Sequence, residues 1–172
     1  DIAVYGKAIG NGYPINAIVG KGEVMDSAKK TFISSTFWSE RLGYVAALET
    51  INQMEKKKSW IYTKNTGLKI KNFWKKIFQK HKINAKIIGL DSIPSFIFKN
   101  NHELNKTFIT KEMLKNNILA TNSFYVSTAH TKKIINIYFK EFEKVIIKLK
   151  NIKNIKKETE EYLSDATFKR IN

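Results

Sequence analysis

Short apolar runs open the chain. Ile2–Tyr5 and residues 15–19 flank a stretch punctuated by Gly6, Gly10, Gly12 and Pro14, which predicts strand, glycine turn and strand over residues 1–22. Residues 24–30 fit a short helix, and residues 31–38, TFISSTFW, form a loop rich in hydroxyls and rings. From Ser39, an expected N-cap, the period turns helical. Leu42, Val45, Ala46, Leu48 and Ile51 predict a helix buried at its start and exposed by Lys56. A second helix is expected over 60–80, with Ile70, Phe73, Trp74, Ile77 and Phe78 on one core face. Ala85–Leu90 and residues 95–98, separated by Gly89, Asp91 and Pro94, predict two paired strands. Residues 104–116 read as a helix and 124–126 as a short strand. The most regular helix is expected over 131–149, with Ile134, Tyr138, Phe142, Val145 and Leu149 on one face. Residues 151–172 are polar and fit a final helix or a tail.

This order divides the chain. Residues 1–58 read as the end of a larger α/β body, and residues 59–172 as a compact α+β unit with its own core. The chain opens on Asp1 with residues that read as a buried strand. Chain starts are more often polar and loosely held, so the expectation is a C-terminal part of a longer protein.

Charge changes the picture only partly. Lys and Arg number 31 against 15 Asp and Glu, a net charge of +16, which raises nucleic-acid binding as a function. Only Arg41 and Arg170 are arginine, however, and the lysines run from Lys7 to Lys169 among many Asn and Ile residues. That spread resembles a chain-wide bias more than a selected patch, and a basic α+β nucleic-acid-binding module stands as the alternative. With no cysteine there are no disulfides or thiolate metal sites, which fits a reducing cytoplasm. No apolar run approaches the roughly 20 residues of a membrane-spanning helix.

Lys7 is the leading candidate for chemistry. A lysine amine condenses with an aldehyde only in its neutral form, and a partly desolvated strand end beside glycine favours such a site. The GNG triplet has a simpler role as a turn needing positive φ. It lacks the G-x-G-x-x-G spacing, and no G-x-x-x-x-G-K-[ST] occurs. Ser34, Ser35 and Thr36, just before an expected helix start, suit either phosphate binding or simple capping. His81, His102 and His130 lie far apart and make no metal set, and His130 suits capping or packing. Glu40, Glu49 and Asp91 have no paired carboxylate for acid–base work.

GKAIGNGYPINAIVG followed by STFWSERLGYVAALETI resembles the cofactor-lysine region of class III pyridoxal-phosphate-dependent aminotransferases, a group that includes glutamate-1-semialdehyde 2,1-aminomutase. The run STAHTKKIINIYFKEF is similar to the helix start in that family's C-terminal small domain. The resemblance implies an α/β fold-type-I PLP-dependent transferase fold: residues 1–58 from the PLP-binding large domain, 59–172 the small domain. It implies pyridoxal 5'-phosphate as cofactor, Lys7 as the residue forming the internal aldimine and shuttling the proton, and Thr36 at the phosphate, often that of the cofactor in the partner subunit, with Ser35 beside it as a further cofactor-binding candidate. It also implies a homodimer with composite active sites and a small-molecule amino donor and acceptor. Asn11 replaces the middle glycine of the triplet, and Trp38-Ser39-Glu40-Arg41 replaces a small-residue Gly-Asn-Pro stretch. Trp38 and Arg41 are therefore expected either to line a substrate pocket, Arg41 holding a carboxylate, or, for Arg41, to pair with Glu40. The aspartate for the pyridine nitrogen, the upstream phosphate loop and the ring-stacking aromatic are expected outside this chain, which should then be inactive alone.

Overall fold

The computed structural model describes residues 1–159; the end of the polar segment expected as a final helix or tail lies outside them. The chain divides into two compact units, Asp1–Ser59 and Trp60 onward.

In the first unit, β1 (Ile2–Tyr5) pairs antiparallel with β2 (Ala17–Gly20), with Val4 opposite Ile18. A 3-10 turn at Lys7–Ile9 follows β1. Helix α1 (Gly22–Met25) runs into a 3-10 turn at Asp26–Lys30, so the short helix expected over 24–30 is split between two hydrogen-bonding patterns. Helix α2 (Arg41–Lys57) ends at Lys58 in left-handed backbone, φ +47°. Two expectations fail here. The opening strand is exposed on nearly every residue, not buried. Only Gly43 and Ala47 are buried along α2, while Leu42, Val45, Leu48 and Ile51 face outward. The apolar period is present, but no described side chain covers that face.

The second unit carries the core. Helix α3 (Ser59–His81) buries Ile70, Trp74, Ile77 and Phe78, with Phe73 stacked on Phe139 at 4.0 Å between ring centroids. Strands β3 (Ala85–Leu90) and β4 (Ile93–Phe98) form an antiparallel hairpin. Phe96 packs edge-on against Trp74 and Phe142. The hairpin turn meets α3 at Gly67, where a Cβ would lie 1.5 Å from the Asp91 carbonyl oxygen, so only glycine fits. Lys71 clamps the same turn, donating to the Gly89 carbonyl and to Asp91, both at 2.8 Å.

Helix α4 (His102–Leu114) packs on α5 (Lys132–Asn151), and α6 (Ile155–Thr159) lies against α4. Thr131 caps α5, its hydroxyl accepting from the Ile134 N–H. The buried face of α5 carries Ile135, Tyr138, Phe142, Val145, Ile146 and Leu149. Ile134, expected inside, is 46% exposed and Ile135 only 6%. Residues 124–126 do not form a strand. They run extended beside β4, Phe124 N–H donating to Pro94 and Val126 N–H to Ser92, with one bridge between Ser95 and Ser123.

Candidate functional site

The glycine turn is built by close approach as much as by backbone freedom. Positive φ falls on Asn11 (+46°) and Gly12 (+108°), the Asn being among the side chains that tolerate it. Gly10 has an ordinary φ of −86°; it is glycine because a Cβ would lie 2.2 Å from the Tyr13 carbonyl oxygen. This turn packs against α2, with Gly43 facing Ile15 and the Pro14 carbonyl.

Lys7 begins the turn with φ +52°, a left-handed conformation that costs a lysine about 1 kcal/mol relative to glycine. It is exposed and not desolvated as expected, because no described side chain walls it in. Its amine makes no ion pair or side-chain hydrogen bond among the described residues.

The loop before α2 differs from expectation in two ways. The N-cap is Glu40, not Ser39: its carboxylate accepts from Leu42 N–H (2.9 Å) and Gly43 N–H (3.3 Å). That carboxylate engages the first free N–H groups of α2, so Ser34, Ser35 and Thr36 offer hydroxyls from a loop and not from the helix end. The Ser35 hydroxyl accepts from Phe37 N–H at 3.3 Å, and Thr36 is exposed with no side-chain hydrogen bond among the described residues. Trp38 is exposed, and its carbonyl accepts from the Tyr44 hydroxyl at 2.9 Å. Arg41, the first residue of α2, makes no ion pair with Glu40, whose carboxylate is engaged as the cap. Neither Glu40 nor Tyr44 was singled out as a site support from sequence. The only signal was a carboxylate directly before an apolar helical period.

The residues present fit a phosphorylated aldehyde in kind: a primary amine at Lys7 and unengaged hydroxyl capacity at Thr36, both in the first unit. No group of three or more His, Asp or Glu among the described residues suits a metal ion.

The second unit holds a cleft of about 390 Å³ with Ile118, Ala120, Phe124, His130, Ile137 and Tyr138 in its walls. Ser127 N–H donates to His130 Nδ1 at 2.9 Å, which puts the imidazole proton on Nε2. Burial lowers the His130 pKa below its ordinary value, favouring the neutral ring, and Phe124 packs edge-on against it. No amine or carboxylate lines this cleft, and the His130 ring is engaged by the Ser127 N–H on one side and Phe124 on the other. Burial raises the Tyr138 pKa, and its hydroxyl accepts from Trp74 Nε1–H at 2.9 Å.

Comparison with known proteins follows the same lines. A 3-aminobutyryl-CoA aminotransferase of Cloacimonas acidaminovorans is 35% identical over 100 residues, which is 58% of this chain and 24% of that protein. A glutamate-1-semialdehyde 2,1-aminomutase of Saccharolobus islandicus is 28% identical over 163 residues, 85% of this chain and 38% of that protein. The fold matches an omega-transaminase from Sphaerobacter thermophilus (TM-score 0.75, 15% identity, 86% of this chain and 38% of that one). It also matches a transaminase with PLP bound (TM-score 0.76, 17% identity, 87% and 38%). The chain thus spans about a quarter to two fifths of the length of these relatives. The family model described as Aminotransferase class-III matches residues 1–138, from the lysine turn into α5, and by that match the chain belongs to the class III aminotransferase family.

Proposed function

We propose that this chain serves a pyridoxal-phosphate-dependent transfer of an amino group in the complete protein, with Lys7 as the residue that bonds the cofactor. The carrying observation is the Lys7 amine, unpaired among the described residues and fixed on a left-handed turn directly after β1. The cofactor supplies an electron sink, so that the carbon bearing a substrate's amino group gives up its hydrogen as a proton. Lys7 has two tasks: to hold the cofactor covalently, and, once released, to carry that proton on its Nζ. Thr36 and Ser35 hold the phosphate, and Trp38 and Arg41 face the substrate, Arg41 as the partner of a carboxylate. Residues 1–58 are then the end of the PLP-binding large domain and 59–172 the small domain. A cytoplasmic homodimer with composite sites is the setting this implies, and the chain alone is expected to be inactive.

Relatives named as an aminotransferase and as an aminomutase leave two forms of the reaction. They separate on whether turnover needs a second substrate, since an aminomutase works on one alone. The test of the class is to load the complete protein with pyridoxal phosphate, reduce with borohydride and map the modified peptide by mass spectrometry. A phosphopyridoxyl group on Lys7 is expected. Modification elsewhere, or none, overturns the proposal and returns the basic nucleic-acid-binding reading, for which binding should weaken steeply with salt.

A further inference from the structure

We infer that Tyr44 is a positioning residue for the phosphate of the cofactor, acting through the loop that carries Thr36; the role rests on the function proposed above. Residues 31–38 contain no helix or strand, and from Phe32 to Trp38 every residue is exposed. Few contacts within the unit hold such a segment in one conformation. Two tethers tie its end to α2. The Glu40 carboxylate caps the helix through Leu42 and Gly43 N–H, and the Tyr44 hydroxyl donates to the Trp38 carbonyl at 2.9 Å across six residues. A turn hydrogen bond from Trp38 N–H to Ser35 O joins the Tyr44 tether to the residue before Thr36, and one from Glu40 N–H to Phe37 O joins the cap to the residue after it. The capping carboxylate orders the helix end but also occupies its donors. Order at Thr36 therefore rests on both tethers, and the second comes from a side chain that is not among those proposed to hold the phosphate.

This arrangement also accounts for the departure at Trp38–Arg41. Where small residues would let the chain turn tightly into the helix, this sequence uses a cap and a tyrosine strut. Tyr44 is half exposed, so its ring adds little to packing and its hydroxyl is the informative group.

The test uses the complete protein with Tyr44→Phe, which keeps the ring and removes only the donor. Binding of pyridoxal phosphate and of pyridoxal, which lacks the phosphate, is measured for both proteins by absorbance titration. Losing one hydrogen bond that orders the phosphate loop should weaken pyridoxal phosphate roughly fivefold and leave pyridoxal unchanged. Equal weakening of both, or no change in either, overturns the role: the first makes Tyr44 a general structural residue, the second makes it dispensable. Borohydride labelling of the parent protein runs alongside. A label on Lys7 with no phosphate-specific effect sinks only the Tyr44 inference, whereas no label on Lys7 sinks the functional reading and this role with it.

Discussion

Lys7 combines an exposed amine with a backbone conformation that lysine pays for. Replacing it by glycine relieves that conformation, and replacing it by alanine does not. In the complete protein, Lys7→Gly should be about 1 kcal/mol more stable than Lys7→Ala in urea unfolding. Equal stability would mean the left-handed turn is not retained there. His130 gives a second residue-level expectation. Its folded pKa lies below the ordinary value of 6.5, mainly through burial. Above that value both states are neutral and its contribution is complete. As pH falls through it, the unfolded ring takes up a proton that the folded ring resists, so stability declines. His130→Gln should flatten the decline below about pH 6.5 in urea midpoints taken across pH. A slope the same as the parent's would assign it to other groups. The setting of Lys7 among glycines is what singles it out in the sequence. Its exposure is not legible there, because burial depends on what else covers a strand end.

Helices α3 and α5 follow their apolar period where it faces a core from one side, as at Ile70, Trp74, Phe142 and Leu149. At the start of α5 two adjacent isoleucines stood at a helical boundary, and periodicity alone could not choose between them. The Thr131 cap fixes the helix phase and turns Ile135 inward. Ile135→Ala should cost about 2–4 kcal/mol and Ile134→Ala under 1, measured by chemical denaturation. The reverse order would put the phase one residue off. Residues 124–126 were misread for a related reason: their alternation is that of an extended segment, but only Ser123 forms a bridge with β4. Between α4 and α5, burial raises the pKa of the nearly buried Glu112, but hydrogen bonds and charge from Lys115 and Lys148 outweigh it and the net shift is down. Both lysine side chains are more than half exposed. Removing the carboxylate leaves two cations that already reach solvent, so Glu112→Ala should cost only about 1 kcal/mol. Lys115→Met with Lys148→Met strands a buried charge and should cost about 3. Equal costs in urea would show that Glu112 is well hydrated in the folded state.

At the scale of the whole chain, the core cluster belongs to the second unit, while Asp1–Ser59 buries only Gly10, Gly43 and Ala47. Residues 60–172 alone should therefore unfold in one cooperative step, and residues 1–59 alone should show none, as followed by circular dichroism. A cooperative transition in the shorter piece would mean that it finds a core of its own. The two compact units part between Ser59 and Trp60, and nothing in the apolar pattern of α2 signals that its leucines turn outward. The hairpin of β1 and β2 carries the remaining consequence. Among the described residues the two strands make a sheet with both outer edges unpaired, and Val4 is 69% and Ile18 53% exposed on facing positions. Such a hairpin is a template for aggregation, so this chain in isolation should scatter light increasingly with concentration. Placing Lys at Val4 and Glu at Ile18 sets opposite charges across the pair, which keeps the register while making edge-to-edge stacking unfavourable. The doubly charged variant should stay monodisperse at concentrations where the parent chain clouds.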